Sequence, residues 1–321
     1  MKTVFLFAGQ GSQFYGMARP LFAENAVFRE ALRDLDDIAR GLVGQSIVDA
    51  IYDPRRSGTE PFDRTLLTHP AVFMIEVALA RALEREGVVP DLIVGSSLGE
   101  LAALVVARAI SAEDALEACL AQAELLESRC AAGGMIAVLD DPRIFDELAW
   151  LREGSTLAGI NLARHFVIAA PAARCDAILA RCAEEQVICQ RIPVRVAFHS
   201  SAMDPARDEF LARVAKTPFA PPAIPILSSA RARQVDRATP ELLWEVARAP
   251  IRFRDVLALI AEELPCRFVD LSPGATLSTF VKHRFPAGTR LVNLPIVTPF
   301  RSDLENFARV VAEHRGSRPT P

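Results

Sequence analysis

Gly95-Ser96-Ser97-Leu98-Gly99-Glu100 is the stretch that decides the fold. Asp91-Leu92-Ile93-Val94 runs into it as a short apolar segment of strand type. Leu101-Ala102-Ala103-Leu104-Val105-Val106-Ala107 runs out of it, apolar and rich in helix formers. A strand, a Gly-x-Ser-x-Gly turn and a helix in succession make a nucleophile elbow. The serine needs a sharp turn that exposes its oxygen, and the flanking glycines remove side chains that would clash there. The helix begins directly behind Ser97, so the Leu98 amide and the positive helix end face any oxyanion formed at that point. A Gly-rich strand-to-helix connection with a buried hydroxyl would read the same way, and the surrounding chain decides between the two.

That surrounding chain is an ordinary α/β sequence. Its 321 residues, 51% hydrophobic and 24% charged, supply a full core for one large domain or two smaller ones. A net charge of -4 gives no electrostatic footprint for nucleic acid. The six cysteines show no CxxC and no metal-ligand spacing, which predicts reduced thiols, a cytoplasmic location and no metal site. MKTVFLFAGQG is too short for a signal peptide, and Glu76 and Arg108 interrupt the most apolar runs, so no membrane association is expected.

Upstream of the elbow, Thr3-Val4-Phe5-Leu6-Phe7 reads as a buried parallel strand. Ala8-Gly9-Gln10-Gly11-Ser12-Gln13 follows at its carboxyl end, where open α/β sheets place ligand-contacting loops. Helical periodicity covers about 20–35 and 70–86, and Ser111-x-x-Asp114 starts a helix that runs to about Ser128. From Gly133 the pattern changes to strand 135–139, helix 142–151, strands 156–161 and 166–170, helix 172–185 and strand 187–194. That order is βαββαβ, the ferredoxin-like arrangement. The large body resumes near Phe198, with strands expected at 225–227 and 267–271 and a helix over 240–263 broken at Pro250. The chain therefore reads as an α/β-hydrolase-like domain with a parallel-sheet core (1–132 and 196–314), an inserted ferredoxin-like subdomain (133–195) and a disordered tail (315–321).

A serine nucleophile needs a base, and the chain has five histidines. His314 borders the tail and His283 sits between Lys282 and Arg284. His165 lies in the turn between two small-subdomain strands, and His69 precedes Pro70 at an expected helix start. His199, in Val196-Ala197-Phe198-His199-Ser200, stands where the chain leaves the small subdomain and re-enters the large one. Clefts between subdomains favour sites, so His199 is the expected base.

Gly9-Gln10-Gly11-Ser12-Gln13, the elbow and Ala197-Phe198-His199-Ser200, in this order and spacing, resemble the malonyl-CoA:acyl carrier protein transacylase family, the acyltransferases of fatty-acid and polyketide synthesis. The resemblance extends to about residue 310. It implies a Ser97–His199 dyad, an oxyanion hole from the backbone amides of Gln10 and Leu98, and a backbone carbonyl that orients His199. The family's Asn-Pro-Val-type segment is Ala249-Pro250-Ile251 here, so Ala249 would supply that carbonyl. Asn161 matches an asparagine near the family's active site and is expected to support His199 or the substrate.

Departures from the family pattern set the expected activity. Malonyl-specific members carry an arginine on a helix after the elbow that pairs with the free carboxylate; counting from Ser97, that position is Gln122. A neutral amide cannot replace a guanidinium fork. Ser96 stands where most members have histidine, and His69 where they have glutamine. These departures resemble the trans-acting acyl hydrolases of polyketide synthases with separate acyltransferases. The resemblance therefore implies hydrolysis of uncharged acyl groups from acyl carrier protein, with Gln122, His69, Ser96, Phe198 and Asn161 around the acyl thioester. A trans-acting acyltransferase is the alternative. No cofactor is implied beyond the phosphopantetheine that the substrate itself carries. The chain is expected to be a monomer whose arginines 164, 195, 252 and 254 meet the acidic carrier.

Overall fold

The structure, a computed structural model, describes residues 1–316. Two sheets organise it. The larger is built from β1 (Lys2–Phe7), β2 (Leu92–Gly95), β7 (Ile226–Ser228), β8 (Arg233–Gln234), β9 (Cys266–Asp270) and β10 (Leu291–Pro295) in the order β10-β9-β1-β2-β7-β8. All its pairings are parallel except β7 with β8. The central strands are buried on both faces by helices, which explains why β1 and β2 read as continuous apolar runs rather than alternating ones. The smaller sheet is antiparallel, with β3 (Gly133–Val138), β4 (Thr156–Leu162), β5 (His165–Pro171) and β6 (Cys189–Ile192) in the order β4-β5-β3-β6. With helix Ala172–Glu184 before β6 this is the expected ferredoxin-like unit.

The insert is stitched to the body at two places. Gly133 N–H donates to the Arg195 carbonyl at 2.9 Å, closing the insert's entry on its exit. On its far edge β4 meets residue 251: Ile160 N–H donates to the Ile251 carbonyl and Ile251 N–H to the Ala158 carbonyl, both at 2.8 Å. The segment that follows Ala249 is thus fixed to both bodies at once.

Several expected elements differ in extent. The helix expected over 20–35 is two helices, Arg19–Glu24 and Ala26–Val43, because Asn25 adopts an extended conformation and caps the second by accepting from Phe28 N–H. The helix over 142–151 is likewise split into Ile144–Glu147 and Ala149–Arg152. Pro70 does not start its helix; it lies inside Thr65–Arg85, and His69 with it. That helix is long and apolar enough to span a membrane by composition, yet most of it is buried in the core. Of the expected tail, Arg315 and Gly316 close helix Asp303–Gly316, where Arg315 pairs with Glu86 at 2.8 Å; residues 317–321 lie outside the described residues.

Candidate active site

The site lies where β1, β2 and β7 end side by side at the carboxyl edge of the large sheet, the place such folds reserve for ligands. β2 delivers the elbow. Ser97 has φ 55°, a left-handed conformation that costs a serine strain and is held only because its surroundings fix it. Three contacts do so. Ser96 N–H donates to the Phe7 carbonyl at 2.9 Å, tying the turn to the end of β1. Ser97 N–H donates to Ser229 Oγ at 3.3 Å, just past β7. Ser229 Oγ–H in turn donates to Glu100 Oε1 at 3.2 Å, which also accepts from Ala230 N–H at 3.0 Å. Burial pushes the Glu100 carboxyl up to about 7 despite these bonds. Gly99 packs so closely on β1 that a Cβ there would collide with the Phe7 carbonyl. The elbow helix Gly99–Val106 therefore begins directly on the sheet.

The base comes from the segment where the chain leaves the insert and re-enters the large body. Ser97 Oγ lies 2.8 Å from His199 Nε2, and His199 Nδ1 lies 2.7 Å from the Ala249 carbonyl. A carbonyl only accepts, so Nδ1 carries the proton and donates it to Ala249, which leaves Nε2 to accept from the serine. The His199 backbone is also strained, at φ 58°, with its N–H donating to the Ala247 carbonyl at 3.0 Å. Burial pushes the imidazole down to about 4, partly offset by the Ala249 hydrogen bond, with Arg248 lowering it further. It is neutral, as a base must be, across the physiological range. The geometry brings together Ser97, His199 and Ala249, three residues that are far apart in the chain.

The glycine-rich loop after β1 closes the opposite side. A Cβ on Gly9 would stand 2.7 Å from Ser97 Cβ, so only glycine lets this loop lie against the nucleophile. Among the described residues, neither the Gln10 nor the Leu98 backbone N–H donates to a protein acceptor. An oxyanion formed at Ser97 would need two such donors.

A cavity of about 260 Å³ opens at the dyad, lined by Gln10, Ser96, Ser97, Asn161, Phe198 and His199 among others. It continues outward past His165 and Phe280, whose rings meet edge-on at 4.8 Å, into a wider mouth of about 890 Å³ bearing Arg164, Arg254, His283 and Arg284. A second hollow of about 820 Å³ behind the sheet touches none of the dyad residues.

Several expected roles change. Asn161 lines the cavity, and its side chain lies 3.3 Å from His165 Nδ1. His165, set aside as a turn residue, lines the cavity instead. Gln122 is buried and faces inward, but it and His69 stand behind the cavity surface rather than on it. Arg164, Arg195 and Arg252 each pair with an acid, Asp140 at 3.1 Å, Asp63 at 2.8 Å and Asp255 at 2.9 Å; Arg254 shares Asp255 at 3.6 Å. Two supporting residues carried no assigned role. Glu76, the buried acid of helix Thr65–Arg85, accepts from Ala8 N–H at 2.7 Å and so anchors the glycine-rich loop. Ser229 has no distinguishing sequence signal at all.

Comparison with known proteins agrees with this fold. Residues 4–316 match the model of the acyl transferase domain family. The polyketide biosynthesis acyltransferase homolog PksD of Bacillus subtilis is 39% identical over 307 residues, 96% of this chain and 95% of that one. A loading acyltransferase from the avermectin modular polyketide synthase superposes with a TM-score of 0.88 at 25% identity, over 98% of this chain and 100% of that one. MCAT from Streptococcus pneumoniae superposes with a TM-score of 0.77 at 26% identity, over 97% and 100%.

Proposed function

The chain belongs to the acyl transferase domain family, as its resemblance to the malonyl-CoA:acyl carrier protein transacylases implied, and on that premise we propose that it hydrolyses uncharged acyl groups from acyl carrier protein. His199 Nε2 takes the Ser97 hydroxyl proton as Oγ attacks the thioester carbonyl. The Gln10 and Leu98 amides hold the oxyanion. The C–S bond breaks, the leaving thiolate takes the proton from His199, and an acyl-serine remains. Water then attacks that ester, giving its proton to His199, and the free acid leaves as Ser97 is reprotonated.

One observation carries the choice of substrate. Among the described residues, the arginine lining the cavity, Arg191, pairs with Asp176, and behind the Phe198 side position 122 is a glutamine bonded to a neutral histidine. A malonyl carboxylate buried there would find no charged partner, which is costly. The mouth bearing Arg164, Arg254, His283 and Arg284 is the proposed approach for the phosphopantetheine arm of an acidic carrier.

The second reading, transfer of the acyl group to another carrier, shares the first half-reaction and is favoured by the family and by the names of the similar proteins. Acetyl- and malonyl-loaded carrier protein, incubated with the protein with and without a second unloaded carrier, separates the two by mass spectrometry. Hydrolysis predicts free acetate at the same rate whether or not the second carrier is present. Acetyl groups accumulating on the second carrier would establish transfer, and a preference for malonyl would overturn the substrate assignment.

A further inference from the structure

Behind the Phe198 face of the cavity lies a hydrogen-bonded chain that joins the glycine-rich loop to helix Ala112–Arg129. Thr68 Oγ1 lies 3.0 Å from Gln10 Oε1, and Gln10 Nε2 lies 2.8 Å from His69 Nδ1. His69 Nε2 lies 3.2 Å from Gln122 Oε1, and Gln122 Nε2 lies 3.4 Å from the Leu243 carbonyl. The His69 ring stacks on Phe198 with centroids 5.3 Å apart and planes within 18°. From the cavity outward the layers are Phe198 and Gln10, then His69, then Gln122.

The direction of this chain is fixed by its one member that cannot change role. The Leu243 carbonyl only accepts, so Gln122 must offer it the amide nitrogen and turn its oxygen to His69. His69 must then carry its proton on Nε2 and leave Nδ1 as an acceptor. Gln10 must present its nitrogen to Nδ1 and its oxygen to the Thr68 hydroxyl. Thr68 Oγ1 also lies 3.1 Å from the Arg64 carbonyl, so its one proton is shared between that oxygen and Gln10 Oε1, and every member is uncharged. A second proton on His69 would set N–H against N–H at Gln10. Burial opposes that proton too, pushing the ring down to about 4. The side chain of Gln10 is thus gripped at both ends of its amide, one residue after Gly9, which lies against Ser97. Among the described residues, Arg191 is the arginine lining the cavity, and it pairs with Asp176 at 2.6 Å.

We infer that His69 is a positioning residue with two consequences: it holds Gln10 so that its amide serves the oxyanion, and it screens position 122 from the acyl group. This rests on the acyl-enzyme reading above. It follows that charge selection in this protein is set by residues 69 and 122 together. An arginine introduced at 122 alone would point its N–H groups at the His69 Nε2–H, donor against donor, with the ring between it and the substrate. A glutamine at 69 changes this. Its carbonyl can accept from Gln10 or from a guanidinium, and its unbranched side chain can swing aside.

The test reads only the first half-reaction, the mass of the acyl adduct on Ser97 after brief exposure to acetyl or malonyl pantetheine thioesters. Hydrolysis against transfer therefore does not enter the result. Gln122→Arg should leave the malonyl-to-acetyl ratio within about threefold of the parent, and H69Q/Q122R should raise it about tenfold or more. His69→Leu should slow acetylation about tenfold with KM changed less than about threefold, and His69→Gln should restore the rate to within about threefold. If His69→Leu fails to fold, Gln122→Leu takes its place, with an expected loss of about threefold. The inference is overturned by a tenfold rise in Gln122→Arg alone, by an unchanged ratio in a folded, acetyl-reactive double variant, or by an undiminished rate in both leucine variants. An unmodified Ser97 in the parent protein with every donor would overturn the acyl-enzyme reading and this inference with it. Rapid water-insensitive transfer to a second carrier would overturn the hydrolase reading alone.

Discussion

His199 and His69 flank one cavity, both 2% exposed and both pushed down to about 4 by burial, yet only one can act on a proton. The difference lies in what stands at each end of the ring. His199 spends its Nδ1–H on a backbone carbonyl and turns a bare Nε2 to a hydroxyl that can give up its proton. His69 spends its Nε2–H on one amide and fills Nδ1 with the N–H of another. Neither amide can take or give a proton near neutral pH. Equal burial and equal basicity therefore yield a general base on one side and a fixed strut on the other. A depressed pKa in a cleft marks a candidate, and the hydrogen-bond partner decides what the group does.

The comparison breaks most sharply at the dyad. Ser97→Ala or His199→Ala should abolish turnover of an acyl carrier substrate, by up to ~10⁶-fold if the pair fails as a unit, whereas substitutions at His69 should cost orders of magnitude less. Product release followed by mass spectrometry reads both. Near-parental turnover in Ser97→Ala would sink the mechanism, and losses of the same size at positions 69 and 199 would erase the distinction between base and strut.

The pH profile sharpens the same contrast. His199 must be unprotonated to accept from Ser97, so acylation rises with pH through its pKa and is flat above it. With that value at about 4, the rate should hold at pH 5.5, where an imidazole of ordinary pKa near 6.5 would already have lost about tenfold. Glu100, at about 7, titrates inside this window, so the profile is best read in Glu100→Gln as well. A tenfold loss at pH 5.5 in both proteins would show that His199 is more exposed to water than its geometry implies.

Much of the dyad side was legible in the chain, and almost none of the strut side was. The elbow is contiguous, so strand, glycines and helix announce it within seven residues of Ser97. His199 follows from its place at a subdomain boundary. The small subdomain follows from the succession of strand-type and helix-type runs between 133 and 194. The strut, by contrast, joins residues 59 and 53 positions apart, through side chains that each look unremarkable. The Pro70 rule misled as well. Proline is favoured in the first helical turn, which moved the expected helix start past His69 and hid its burial. In the fold, Leu66 N–H donates to Glu127 Oε1 and Pro70 lies one turn further in. The edge strand β8, two exposed polar residues, carries no apolar pattern to be read.

The smallest effect tests the strut through stability rather than rate. In the unfolded chain His69 takes up a proton below its ordinary value of 6.5, while in the fold it does so only near 4. Between those values the unfolded state binds the extra proton. The stability contributed by neutral His69 is therefore complete above about 6.5 and is lost as pH falls toward 4. Other buried groups obscure this in the parent protein alone: Glu76, Glu100 and Asp270 are pushed upward by burial and act in the opposite sense. The difference between the parent and His69→Gln cancels them, because glutamine keeps an acceptor and a donor but does not titrate. No carboxylate figures among the influences on His69, whose charged neighbour in that sense is His199. Urea unfolding of both proteins from pH 7 to pH 4.5 should show the parent losing ground to His69→Gln by up to roughly 1.4 kcal/mol per pH unit below about 6. A difference that stays constant over this range would mean that His69 is protonated in the fold, and the chain from Thr68 to Leu243 would then run in a different sense.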